Sequence, residues 1–138
     1  MKKILIDTNI LIYSIDKDSK YFQQSHNLLL DSNVQLFTTS KNLSEFLAVV
    51  TRYPGKSLAI DDALIIIEDF SKLLSILYPN PVSLNIFKKL LYKHKPAGLL
   101  IHDFEIASIA IAHDITHIAT LNSKDFDLID ELCLYSLI

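Results

Sequence analysis

Several acidic residues in this chain stand beside aliphatic runs, where a carboxylate is costly. Asp7 lies in KILIDTNILI, between Ile4-Leu5-Ile6 and Ile10-Leu11-Ile12. A desolvated charge there must be paired or bound to a metal. Glu45 sits in SKNLSEFLAVV, Asp103 in IHDFEIASIAIAH, and Asn122, Asp125 and Asp127 follow HIATL. Each also has an ordinary explanation. Asp7 suits a helix N-cap, worth about 1 kcal/mol. Glu45 suits an exposed helical acid paired with Lys41, worth about 0.3 kcal/mol. Asp103 suits the positive end of a helix dipole, and Asn-Ser-Lys-Asp is ordinary turn chemistry. Gathered at one point, the acids would repel one another unless protons or a cation intervened. A hard divalent ion with oxygen ligands, Mg²⁺ or Mn²⁺, suits such a cluster. It would bind phosphate oxygens and activate water.

The elements between these residues could gather them. KILID at 3–7 reads as a short buried strand, followed by a helix from near Ile10 capped by Thr8 or Asn9. A helix over 19–31, a turn at Ser32-Asn33 and a strand VQLFT at 34–38 follow. Ser40 reads as the N-cap of a helix to about Arg52, with Leu43, Phe46, Leu47 and Val50 as its apolar stripe. Pro54-Gly55 ends it, and Ser57 opens a helix to about Lys72. The spacing then predicts a strand at 74–79, a helix to His94, a loop at 96–98, a helix over 101–113, a strand at 117–121 and a further strand at 133–137. Short apolar strands alternating with helices imply a parallel α/β sheet covered on both faces. Ligands bind such sheets beyond the carboxyl ends of the strands, where Asp7 and the 122–127 turn fall.

Length and composition set bounds. The 138 residues read as one domain, half of them hydrophobic, with 13 basic and 16 acidic side chains and a net charge of −3. That balance excludes a protein that coats nucleic acid by bulk charge, but not an enzyme gripping phosphates through a metal. Arg52 is the only arginine, so bidentate arginine readout is scarce. No apolar run reaches the roughly 18 residues of a membrane span, and the N-terminus is a poor secretory signal. Cys133, the only cysteine, reads as a small core residue in Leu132-Cys133-Leu134; no internal disulfide is possible, and a cytoplasmic setting is expected.

In order and spacing, four motifs resemble a PIN domain of the VapC toxin type: Asp7-Thr8-Asn9 after the first strand, Ser40 with Glu45, Asp103 in HDFEIASIAIAHD, and Thr120, Asn122, Asp125 and Phe126 in HIATLNSKDF. The resemblance spans essentially the whole chain. It implies a three-layer α/β/α fold with a mainly parallel sheet of four to five strands, and a metal-dependent endoribonuclease. It implies that Asp7, Glu45 and Asp103 hold Mg²⁺ or Mn²⁺, and that Asn122 or Asp125 completes the acidic ring. Thr8, Asn9, Ser40 and Thr120 would orient carboxylates, water or substrate. It also implies a homodimer and a cognate antitoxin protein. Asp114 stands where the family often has glycine at a helix end, which fits a residue tolerant of the left-handed region.

Other residues offer less. His113 and His117 straddle a helix end and a strand start, which breaks the geometry of a helical zinc pair. His102 is expected on a different helix face from Asp103, and all five histidines read as structural or surface groups. Lys41 and Arg52 lie on the Glu45 side, where they would steer phosphate or simply face solvent. No phosphate-cradling glycine loop and no aromatic stacking platform is evident. Ala63-Leu64-Ile65-Ile66-Ile67 is more apolar than one buried helix face needs, which leaves core or partner surface open. A phosphoacceptor receiver domain would want an acid after the third strand, where Pro79-Asn80-Pro81 stands instead. A PIN-like module that binds RNA or a partner without cutting is the remaining alternative.

Overall fold

The structure, a computed structural model, describes residues 1–137. Its elements are β1 (Lys2–Ile6), α1 (Thr8–Tyr13), α2 (Phe22–Leu29), β2 (Val34–Thr39), α3 (Ser40–Val50), α4 (Ile60–Leu73), β3 (Ser75–Leu77), α5 (Pro81–His94), α6 (Leu100–Ala112), β4 (His117–Ala119), a 3₁₀ turn (Ser123–Phe126) and β5 (Cys133–Leu134). Every strand pair is parallel, in the order β3-β2-β1-β4-β5. The alternation of side chains along the strands sorts the core into two layers. Ile4 and Ile6 of β1 and Leu36 of β2 face a layer built from α1 to α4, with Phe46 and Phe70 in edge contact, centroids 5.2 Å apart. Leu5, Leu77 and Ile118 face α5 and α6 on the opposite side. The expected three-layer α/β/α arrangement is thus present.

The chain winds outward from β1 through β2 to β3, then returns to the other side of β1 as β4. Strand order reverses at β1, and the carboxyl ends of β1 and β4 flank the switch point where open α/β sheets bind ligands. Register holds the two ends level: Ile6 pairs with Ala119, and the Asp7 N–H donates to the Ala119 carbonyl at 3.0 Å.

Several helix starts differ from the sequence expectation, each because a local hydrogen bond decided the boundary. Asp7, not Thr8 or Asn9, caps α1, accepting from the Thr8 N–H. Thr39, not Ser40, caps α3: it is extended, and a reciprocal capping box with Asn42 closes the turn. Helix α2 begins at Phe22, because Asp16 to Tyr21 is spent on turns pinned by Lys56, whose ammonium contacts Asp16 at 3.0 Å and Asp18 at 2.7 Å. Helix α4 begins at Ile60, because the Leu58 N–H bonds back to the Val50 carbonyl. The fifth strand is shorter than expected, Cys133–Leu134, and Cys133 is exposed rather than in the core, because an edge strand of two residues has no layer above it. Asp114 takes the left-handed conformation anticipated for it, φ 59°. Ala63 is buried, but Leu64 and Ile65 are 47% and 61% exposed, so part of the aliphatic surplus of α4 is surface.

Candidate active site

Asp7 ends β1 with only 7% of its surface exposed. Its carboxylate is held by neutral donors. Oδ1 accepts from the Thr8 N–H at 2.8 Å and the Asn42 amide at 3.4 Å. Oδ2 accepts from the Thr120 hydroxyl at 2.7 Å and the Asn9 amide at 3.4 Å. Asn9 in turn donates to Thr120 Oγ1 and accepts from the Leu121 N–H, tying the start of α1 to the chain after β4. Burial nonetheless dominates, and the Asp7 carboxyl lies above the usual aspartate range, with the Asp125 charge adding to the effect.

Glu45 projects from the second turn of α3. It is exposed at the residue level, yet the atoms around its carboxyl strip part of its hydration and push its pKa up; the Asp7 charge pushes further, against lesser pulls from His102, Lys41 and Thr8. Asp103, in the first turn of α6, is raised to about 7, by desolvation first and then by Asp125, Asp7 and Glu45. Four carboxylates from four chain segments therefore feel one another. Glu45, Asp103 and Asp125 line a cavity of about 550 Å³, together with Ser40, Lys41 and His102. Asp7 lies buried behind it.

Among the described residues, none of these four acids makes a salt bridge. The lysine nearest Glu45 in sequence pairs elsewhere: Lys41 meets Glu105 at 3.3 Å, so the ordinary alternative for Glu45, an ion pair with Lys41, is absent among the described residues. Hard oxygen donors of like charge, near enough to act on one another, have the chemistry that suits a divalent cation.

The two candidates after β4 are placed differently. Asp125, on the 3₁₀ turn, faces the cavity and acts on Asp7 and Asp103. Asn122 is exposed, and its N–H is spent on Thr120 Oγ1 at 3.0 Å. Arg52 lies past the end of α3 and does not line the cavity. Two residues escaped the sequence reading. His102 does share the cavity with Asp103 rather than turning away, because the first turn of α6 presents both to it. Asn42 is fully buried and does two tasks, capping α3 through Thr39 and donating to Thr8 Oγ1 at 3.0 Å and to Asp7. Its place three residues after Thr39 was the available signal.

The profile of the PIN domain family matches residues 4–132. The chain belongs to the PIN domain family. The chain has no significant match among curated proteins. Solved structures share the fold of this PIN domain. VapBC2 from Rickettsia felis, bound to a DNA fragment from its promoter, is 24% identical with a TM-score of 0.73, over 96% of this chain and 97% of that one. DNA-bound VapBC from Salmonella typhimurium is 23% identical with a TM-score of 0.73, over 100% of both chains. VapC20 from Mycobacterium tuberculosis, described as a sarcin-ricin loop cleaving toxin, is 12% identical with a TM-score of 0.65, over 83% of this chain and 86% of that one.

Proposed function

We propose that this PIN domain is an endoribonuclease that requires Mg²⁺ or Mn²⁺ and hydrolyses RNA phosphodiester bonds. Asp7, Glu45 and Asp103 would hold the cation, and Asp125 would complete the ring. The observation that carries this reading is the gathering of carboxylates from four chain segments, three of them lining one cavity, with no salt-bridge partner among the described residues and with raised proton affinity at Asp7, Glu45 and Asp103. PIN domains are in general nucleases, which supports the same reading. When bound, the cation offsets phosphate charge and lowers the pKa of a water molecule beside it. The chain's own residues supply the rest. Thr8, Asn42, Thr120 and Asn9 fix both oxygens of Asp7 so that its carboxylate cannot turn away. Ser40, Lys41 and His102 give the cavity wall donors suited to phosphate oxygens.

The reading extends to a toxin of the VapBC kind, with residues 1–138 as one catalytic unit acting in the cytoplasm. Its support is the likeness to VapBC complexes and to a toxin described as cleaving the sarcin-ricin loop. A small antitoxin protein is the expected partner. The exposed Leu64 and Ile65 of α4 favour a homodimer; light scattering after size exclusion at tens of micromolar tests this, and a strict monomer counts against it. The described residues include no helix long and apolar enough to cross a membrane. The deciding experiment is cleavage of RNA by the purified protein. Turnover should require Mg²⁺ or Mn²⁺ and vanish in Asp7→Asn. Cleavage that persists in EDTA or survives that substitution would overturn the mechanism.

A further inference from the structure

Between Asp69 and Asp103 the chain carries no acid at all, yet it carries Lys72, Lys88, Lys89, Lys93 and Lys95. In a chain of net charge −3 this is a local reversal of sign. Most of it falls on the second half of α5. Lys88, Leu91 and Tyr92 are spaced three and four residues apart, so they share one helix face, and with Lys95, just past the helix end, they line a shallow surface groove of about 420 Å³. Lys93 is paired with Asp130 and Glu131. Lys88 and Lys95 make no ion pair and no cation–π contact among the described residues. Between them Tyr92 is 82% exposed, more than Tyr78 at 61%. An aromatic ring standing free between two unpaired ammonium groups has the chemistry of a single-strand nucleic-acid contact: bases stack on the ring and phosphates meet the lysines.

The groove and the acidic cavity are close along the chain. Lys95 closes α5 in the left-handed conformation, φ 49°, which turns the chain toward α6. Only Pro96, Ala97 and Gly98 separate it from Leu99, which is 83% exposed and lines the cavity. Four residue steps span at most about 14 Å, and Lys88 to Lys95 adds about 10 Å along the helix. We propose that the Lys88–Tyr92–Lys95 face of α5 is an RNA-binding subsite that holds single-stranded substrate flanking the scissile bond. This rests on the ribonuclease reading for the substrate's identity, and on its own geometry for the site. It also accounts for how a net-acidic protein with one arginine, and with an acidic catalytic cavity, holds a polyanion: the attraction is local and lies beside the acids.

The test is fluorescence anisotropy with a labelled mixed-sequence 12-nucleotide single-stranded RNA, on the full chain carrying Asp103→Asn to prevent turnover, read across a series of salt concentrations. Tyr92→Ala should weaken binding about tenfold, and Tyr92→Phe should retain it, since stacking needs the ring and not the hydroxyl. The double change Lys88→Gln with Lys95→Gln should reduce the slope of log K against log salt by about 1.4, at about 0.7 per phosphate contact. A purely structural role would not alter that slope. The same substitutions in the otherwise native chain should raise KM for RNA while leaving kcat and Mn²⁺ affinity unchanged. Affinity and salt slope unchanged in these variants would overturn the subsite, as would loss of binding to a protein partner with RNA binding intact. Failure of the ribonuclease reading looks different: the parent protein would cut no RNA with any cation, whether or not binding depended on Tyr92.

Discussion

Removing the charge of Asp103 should stabilise the cation-free protein at alkaline pH while abolishing cation binding. Its carboxyl is raised from the usual value just below 4 to about 7, by lost hydration first and by Asp125, Asp7 and Glu45 after it. The folded protein therefore holds this proton more tightly than the unfolded chain does. The stability so contributed is complete below about pH 4 and is lost as the pH rises through about 7. Carried wholly by folding, a displacement of that size is roughly 4 kcal/mol, of which about half falls between pH 5.5 and 8.5. Asp103 is only half-buried, and solvent screening leaves about 1 kcal/mol in that interval. Glu45 and Asp7 are displaced in the same direction and add to it. For a chain of this length, about 1 kcal/mol is about 3–6 °C in Tm. Calorimetry in EDTA should show that fall from pH 5.5 to 8.5. Asp103→Asn should flatten the dependence and raise Tm at pH 8.5. Mn²⁺ should restore the native protein at pH 8.5 and do nothing for the variant. A cation-free protein equally stable at both pH values, or an Asp103→Asn variant less stable at pH 8.5, would refute the reasoning.

Three further outcomes follow from named contacts. Thr120→Val removes the 2.7 Å donor to Asp7 Oδ2; Mn²⁺ affinity by titration calorimetry should drop about 10–100-fold, as for other groups that orient metal ligands. Asn42→Ala removes the side-chain oxygen that accepts from Thr39 in the α3 capping box and the amide that donates to Asp7; urea unfolding should show a loss of about 2–3 kcal/mol. Asp125→Asn should cost about tenfold or more in RNA cleavage, whereas Asn122→Ala, on an exposed residue, should stay within about threefold, and the reverse order would return the ring to Asn122.

The sequence revealed the layers and the acids because both rest on patterns the chain must carry in linear form. Ile4-Leu5-Ile6 has to be apolar throughout to serve two core layers, and Asp7 has to follow it to reach the ligand edge. What the sequence concealed was decided by contacts between distant segments. Lys41 sits four residues before Glu45, which makes a helical pair look natural, yet Glu105 from another helix takes it. His102 looked diverted from Asp103, but a helix's first turn presents adjacent residues to a cavity at its own end. Asn42 looked like a plain helical residue, since its value lies in Thr8 and Asp7, more than thirty positions earlier. The exposure of Tyr92 between Lys88 and Lys95 was likewise hidden, since it depends on which face of α5 the core leaves uncovered.

The hydrogen bonds around Asp7 bear on why its surroundings are built of amides and hydroxyls instead of lysine or arginine. Four neutral donors lower the cost of burying its carboxylate, but they do not cancel it: the proton affinity stays raised. A lysine in place of Thr120 or Asn42 would satisfy the charge fully, as Lys56 does for Asp16. It would also occupy the position a divalent ion needs, and the site would be stable and inert. Neutral donors fix the oxygens in direction while leaving the charge uncompensated. On the proposed reading, the cation-free protein is thereby less stable than it could be, and that deficit would reappear as affinity on cation binding, since anything that binds only the folded state stabilises it. The aliphatic residues flanking Asp7 complete the arrangement. They exclude water from the strand end, which keeps the charge of Asp7 strong.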